Sequence, residues 1–169
     1  MPNWVHNNVE VGDVRILKEC VSKNEDDKGF YFDFNKIAPM PKELENSSAP
    51  NSNEQLAKKM IKKYGSPDWY HWRLDNWGTK WLPSNTEIIW DCNAEFDTAW
   101  STPEPIFQKL SEKYHTFVYV EYADEDLGYN CGSLRYVNGE LVEHTEGDFN
   151  FACNVWGLDP EEEKELRGE

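Results

Sequence analysis

Val5, Asn7 and Val9 alternate with His6, Asn8 and Glu10, the period-2 pattern of a strand with one face turned inward. Gly12 and Asp13 break the alternation. Val14, Leu17, Cys20 and Val21 then recur at helical spacing, with Arg15, Lys18, Glu19 and Lys23 on the polar side, which predicts an amphipathic helix. A charged run from Asn24 to Gly29 ends it. Phe30, Phe32 and Phe34 alternate with Tyr31, Asp33 and Asn35 as a second strand, and Pro39 and Pro41 prevent its continuing as a central ladder.

Residues 43–53 are polar and turn-forming and read as a mobile surface loop. A helical stripe of Leu56, Ala57, Met60, Ile61 and Tyr64 follows, with Lys58, Lys59, Lys62 and Lys63 outside and Gly65 as the stop. The stretch 66–81 suits a short helix and then an irregular segment. Residues 86–92 and 94–100 read as one long bent strand or two short ones, with Trp90 and Trp100 expected in the core. Ser101 and Thr102 offer a hydroxyl cap, Pro103 a first-turn proline and Glu104 an acid at the positive end of the dipole, so a helix begins there and buries Phe107, Leu110 and Tyr114. A strand over 116–122 follows. Asn138-Gly139 joins strands near 129–137 and 140–146 in a hairpin, and Asp159-Pro160-Glu161 opens a short acidic helix.

Strand, helix, strand, then strand, helix, strand is the split βαβ order of an α+β, ferredoxin-like sandwich. Two helices should cover one face of an antiparallel sheet, and the C-terminal hairpin should extend that sheet. The reading is a single domain over 1–158 with a helical, Trp-rich insertion at about 43–82, followed by an acidic helix or tail over 159–169.

The chain has 169 residues and a formal charge of −15. Low hydrophobic content with high charge would suggest disorder, but eight Trp, eight Tyr and eight Phe supply enough ring surface to build a core. Most of the acidic excess follows residue 120, which argues against direct contact with duplex DNA there and for a partner with a basic surface. Asp124, Glu125 and Asp126 form a solvated acidic turn. They are expected to join Glu140, Glu143 and Glu146 in a partner-binding surface, with 140 and 146 sharing strand parity and 143 opposed. Cys20, Cys92, Cys131 and Cys153 form no C-x-x-C pair, and His6, His71, His115 and His144 are equally scattered. No metal site or cofactor is expected. There is no apolar run long enough for a membrane span and no leader-like N-terminus, so a cytoplasmic protein is the expectation.

No catalytic signature appears. The densest chemistry is Trp69, Trp72, Arg73, Asn76, Trp77, Lys80 and Trp81, with His71 the one general base beside it. Indole faces can stack a base or sugar ring while Arg73 and Lys80 meet an anion, the arrangement of a nucleotide contact. The favoured reading is that the rings complete a core short of aliphatics, with Arg73 stacked on one and Lys80 lying beside Trp81.

Met1-Pro2-Asn3-Trp4, Pro39-Met40-Pro41, Trp72-Arg73 with Asn76-Trp77-Gly78-Thr79-Lys80-Trp81, and Phe96-Asp97-Thr98-Ala99-Trp100-Ser101-Thr102-Pro103 together resemble the YubB-like phage and plasmid family. The resemblance covers residues 1 to about 143, with Val5 in place of the usual Cys-like residue. It implies a ferredoxin-like domain carried by a mobile genetic element in a bacterial cell and, because the family has no assigned reaction, supplies no catalytic residues. On these grounds the expected function is an acidic binding protein that engages a basic host protein, in its most concrete form a DNA-mimicking antagonist of a nuclease or defence factor; the alternative is a nucleotide-binding or nucleotide-hydrolysing protein that uses the Trp-rich cluster 69–81.

Overall fold

In the computed structural model, which describes residues 1–26, 28–89 and 92–168, one six-stranded antiparallel sheet organises the chain. Its order is β4 (Ser84–Ile89), β5 (Asn93–Ala99), β1 (Trp4–Val11), β6 (Phe117–Asp124), β7 (Cys131–Val137) and β8 (Glu140–Glu146). Strand β1 lies between β5 and β6 and is antiparallel to both, so β5 and β6 run parallel, and α5 (Glu104–Lys113) crosses between them. That is the split βαβ unit of a ferredoxin-like α+β fold. The expected hairpin extends the sheet, turning at Asn138 and Gly139 with φ of +49° and +85°, the paired positive values that suit a two-residue turn.

The alternation in β1 holds: Val5, Asn7, Val9 and Val11 are all buried on one face. Against this first face pack Leu17 of α1 (Val14–Glu19) and Ile106, Phe107 and Leu110 of α5. The insertion completes the layer with α2 (Lys42–Glu45), α3 (Glu54–Tyr64) and α4 (Trp69–Trp77), which contribute Leu44, Met60, Trp72 and Trp77 to the same core. Of the stripe expected on α3, Met60 is buried whereas Leu56 and Ile61 are exposed, so this helix lies on the outside of the molecule.

The first strand–helix–strand unit departs from expectation. Helix α1 stops at Glu19, and Val21 belongs to a short strand, β2 (Val21–Lys23), not to the helical stripe. It pairs with β3 (Phe30–Phe32) in a separate two-stranded sheet, so the Phe30 strand does not join the main one. The chain then leaves the extended state at Asp33, whose carboxylate accepts the Asn35 N–H and starts a 3-10 turn over Phe34–Lys36. The aromatic alternation still does its packing: Phe32 stacks on Phe96 at 4.9 Å, and Phe34 meets Trp77 edge-on at 5.7 Å.

Helix α5 starts where the sequence places it, but neither hydroxyl caps it. Thr102 donates to Oδ1 of the fully buried Asn7 at 2.6 Å, and Ser101 donates to the Gly78 carbonyl. Asn7 in turn donates to the Val5 and Phe96 carbonyls and to Thr98 Oγ1. A buried amide must be satisfied, and that requirement outcompetes the cap.

Helix α6 (Phe149–Trp156), for which no expectation was made, lies on the second face of the sheet. Ala152 and Val155 pack there on Ala123 and Cys131, and α7 (Pro160–Arg167) follows with no buried residue. The expected core position of Trp90 lies outside the described residues.

Candidate functional site

The seven residues grouped from the sequence divide between interior and surface. Trp72 and Trp77 are buried, and the Trp77 indole N–H donates to the Ala38 carbonyl at 2.8 Å. Arg73 is held between the Trp69 and Trp77 rings, 4.9 Å from each centroid, and donates to the Lys80 carbonyl at 3.1 Å. Asn76 bridges the Trp72 carbonyl and the Lys109 ammonium. These four make contacts within the chain, and the Arg73 guanidinium that the sequence suggested as an anion contact is engaged by two rings and a carbonyl.

Lys80 and Trp81 lie past Gly78 and turn outward. The Lys80 ammonium sits 4.1 Å above the Trp81 ring and 6.0 Å from that of Trp100. Trp81 also meets Trp4, with centroids 6.2 Å apart. Trp100 is 53% exposed, which overturns the expectation that it is core. The reason is conformational. Ala99 ends β5 fully buried, and at Trp100 the backbone takes φ +70°, a left-handed value that breaks the strand parity and throws the indole outward. For a bulky residue such a φ is a strain of about 1–3 kcal/mol, maintained only if its surroundings hold it. They do so from both sides: Trp100 N–H donates to the Asn3 carbonyl at 2.9 Å, and Asn130 Nδ2 donates to the Trp100 carbonyl at 3.2 Å.

Asp124 ties this arrangement together. Expected in a solvated turn, it is 3% exposed, and its carboxylate accepts from Asn3 Nδ2, Asn130 Nδ2 and the Asp126 N–H. It therefore does not belong to a docking surface, whereas Glu125 and Asp126 beside it are exposed. Asn3, Trp100, Asp124, Tyr129 and Asn130 line a hollow of about 580 Å³ at this end of the sheet. The sequence cluster pointed to Lys80 and Trp81 and missed Trp100, Tyr129 and Asn130. Three of the four resembling blocks do meet here, because Thr79 donates to the Ala99 carbonyl at 2.7 Å and Asn3 holds Trp100.

The acidic residues of the hairpin are exposed, but their facing differs from expectation. A register shift between Arg135 and Tyr136 sets Glu140 opposite Val137 and Glu143 opposite Arg135, on the second face. Glu146, opposite Gly132, falls on the first. A bulge adds one residue and so reverses parity, which pairs 140 with 143 instead of with 146.

Helix α6 covers only part of that second face. Under it lies the row His6, Asp97 and Ala123; His6 Nδ1 meets Asp97 Oδ1 at 2.6 Å, and the imidazole packs 4.9 Å from the Trp156 ring. Among the described residues, the next row is covered in part, since Asn8 Nδ2 donates to the Val155 carbonyl of α6 at 3.4 Å and Ser133 is buried, and the row after it is open. The former runs Glu87, Glu95, Asn8, Glu121, Ser133; the latter runs Ile89, Asn93, Glu10, Tyr119, Arg135, Glu143. They border a shallow cleft of about 320 Å³ around Asn8, Glu10, Glu95 and Glu121. Arg135 is the only lysine or arginine on the six strands, and it stacks over Phe117 and Tyr119 with a 3.8 Å contact to Glu143. Burial, with a hydrogen bond to Glu121, raises the Tyr119 pKa above its ordinary value, so the phenol stays neutral. No group of three His, Cys, Asp or Glu residues able to hold a metal ion occurs among the described residues, and no described helix is long and apolar enough to cross a membrane.

Comparison with known proteins adds a family. A model described as the ferredoxin-like domain in Api92-like protein matches residues 76–166. The chain is 30% identical over 95 residues to the uncharacterized protein YubB of Escherichia coli strain K12, covering 52% of this chain and 64% of that one, so it spans under two thirds of that relative. Among solved structures, the protein api92 from Yersinia pseudotuberculosis aligns over 87% of this chain and 98% of its own with a TM-score of 0.45 and 8% identity.

Proposed function

The chain belongs to the family defined by the ferredoxin-like domain of Api92-like proteins, and we propose that it acts there as an acidic binding protein whose partner presents a basic protein surface. The observation that carries this reading is the uncovered part of the second sheet face. Glu10, Glu87, Glu95, Glu121, Glu140 and Glu143 all project from it, and its one guanidinium, Arg135, is already occupied by two rings and Glu143. Carboxylates fixed on neighbouring strands of a rigid sheet need no ordering on association. Their summed field steers a cationic surface toward them more than any single contact would hold it. In its finer form, the partner is a host nuclease or defence factor with a groove built for phosphates, and the carrier a phage or plasmid. The same field opposes a nucleic acid as the ligand of this face.

The test is a charge-matched comparison. A basic partner captured from a bacterial lysate, once identified and purified, is passed over the immobilised chain. Glu10→Gln/Glu95→Gln/Glu121→Gln is compared with Glu161→Gln/Glu162→Gln/Glu163→Gln on α7. The sheet-face variant is expected to slow association about tenfold, raised salt to do the same, and the α7 variant to have little effect. Equal effects of the two variants, or salt-independent association, refute the proposal.

A further inference from the structure

Strand ends β5 and β6 deliver two loops to the same end of the sheet, and these place Trp100 and Tyr129, 53% and 69% exposed, beside Trp81 at 38%. Rings of this size are normally buried, so a group of them left in water beside a hollow is a binding-site signature. We propose that Trp100, Lys80 and Trp81 form a site for a nucleoside monophosphate, with the base stacked on Trp100 and the phosphate held by Lys80.

Three features of the geometry carry this assignment. First, the Trp100 backbone is preorganised. It is clamped by the Asn3 carbonyl and by Asn130, so the point and direction from which the indole projects are set before a base stacks on it. Second, Lys80 is available. Its ammonium lies over the Trp81 ring, and among the described residues no carboxylate comes within 4.0 Å of it, although the chain carries a net charge of −15. Lys63, by contrast, is paired with Glu43. A cation resting on an indole face still has N–H donors directed away from the ring for an anion. Third, the hollow of about 580 Å³ next to Trp100 is lined with Asn3, Asp124, Tyr129 and Asn130; the amide N–H groups of Asn3 and Asn130 are committed to Asp124, which leaves their side-chain carbonyl oxygens and the Tyr129 phenol to meet the hydroxyls of a ribose.

Charge selects the size of the ligand. One ammonium matches one phosphate group, whereas Glu125 and Asp126 beside the hollow repel a second and a third. A mononucleotide therefore fits where a strand of nucleic acid does not. This site lies at the opposite side of α6 from the open acidic face and is independent of the partner proposed for that face.

AMP, GMP, CMP and UMP titrated separately into the full chain provide the test, followed through the eight indole N–H resonances. At least one nucleotide is expected to give saturating shifts at Trp100 and Trp81 but none at the buried Trp77. Lys80→Gln and Trp100→Ala are each expected to weaken binding about tenfold or more, and so is removal of the phosphate from the ligand. Lys80→Gln alters only a surface ammonium and keeps the test open if Trp100→Ala proves unstable. The proposal is overturned by the lack of any saturable shift, by a Lys80→Gln variant that binds as the parent does, or by an oligothymidylate that binds tighter than every mononucleotide.

Discussion

Replacing Trp100 by alanine and by glycine separates burial from backbone strain. With 53% of the residue exposed, rather less than half of a side chain worth about 150–250 Å² is removed from water, or about 70–120 Å². At about 25 cal/mol per Å² that is at most about 2–3 kcal/mol, and compactness of the unfolded chain lowers it to about 1–2. Trp100→Ala should therefore cost about 1–2 kcal/mol, below the ~3–5 expected for a fully buried tryptophan. Alanine retains a Cβ and with it the penalty of the left-handed backbone at φ +70°, about 1–2 kcal/mol. Glycine removes that penalty, and its greater freedom in the unfolded chain returns about 0.5–1 kcal/mol of it. The net expectation is that Trp100→Gly is about 0.5–1 kcal/mol more stable than Trp100→Ala, the reverse of their order in an ordinary strand. Urea denaturation of the three proteins at a shared slope measures both differences. An alanine variant as stable as the glycine variant refutes the strain; an alanine cost of about 3 kcal/mol or more refutes the exposure.

Two further outcomes follow from buried polar groups. Asn7→Leu should destabilise by about 2–4 kcal/mol in the same denaturation experiment, because it strands the Thr102 hydroxyl and the Val5 and Phe96 carbonyls; a loss below about 1 kcal/mol contradicts that network. Burial alone raises the Asp68 pKa, but the His71 backbone N–H and imidazole reverse it, so that the folded value lies below the ordinary one. The stability from its charge is thus complete above the unfolded pKa of about 4 and is lost as pH falls through the lower folded value. The difference in urea midpoint between the parent and Asp68→Asn should close as pH falls below about 4, and a gap that widens on acidification contradicts the assignment.

Local signals in the sequence identified the elements whose partners are near in sequence or whose turn residues are specific. Alternation in β1 even placed Asn7 among the inward positions, and Asn138-Gly139 announced the hairpin. What periodicity does not encode is the identity of the pairing strand. Val21 continues a helical stripe as well as it begins a strand, and pairing with Phe32 decides the matter. The register shift near Arg135 is equally invisible, yet it moves Glu140 and Glu146 to opposite faces. Helix α6 had readable boundaries, an Asp148 cap and Gly157 as its stop, but these flank a run of Phe, Ala, Cys, Val and Trp too short to separate helix from strand by period alone.

The aromatic cluster was legible as a cluster and illegible as a site, and one residue explains why. At Gly78 the chain takes φ +78°, and a side chain there would come within 2.7 Å of Pro105 Cδ. The segment can therefore close against the start of α5 only with glycine, and closing it reverses the direction of the chain. Trp72 and Trp77, before the turn, stay under the sheet, where their rings make up for the scarcity of aliphatic residues. Lys80 and Trp81, after it, are carried to the strand end where Trp100 emerges. Composition correctly demanded that some of these indoles be buried. It could not say which, because the division depends on a left-handed turn followed by long-range contacts to Ala99 and Asn3, and neither leaves a periodic trace in residues 66–81.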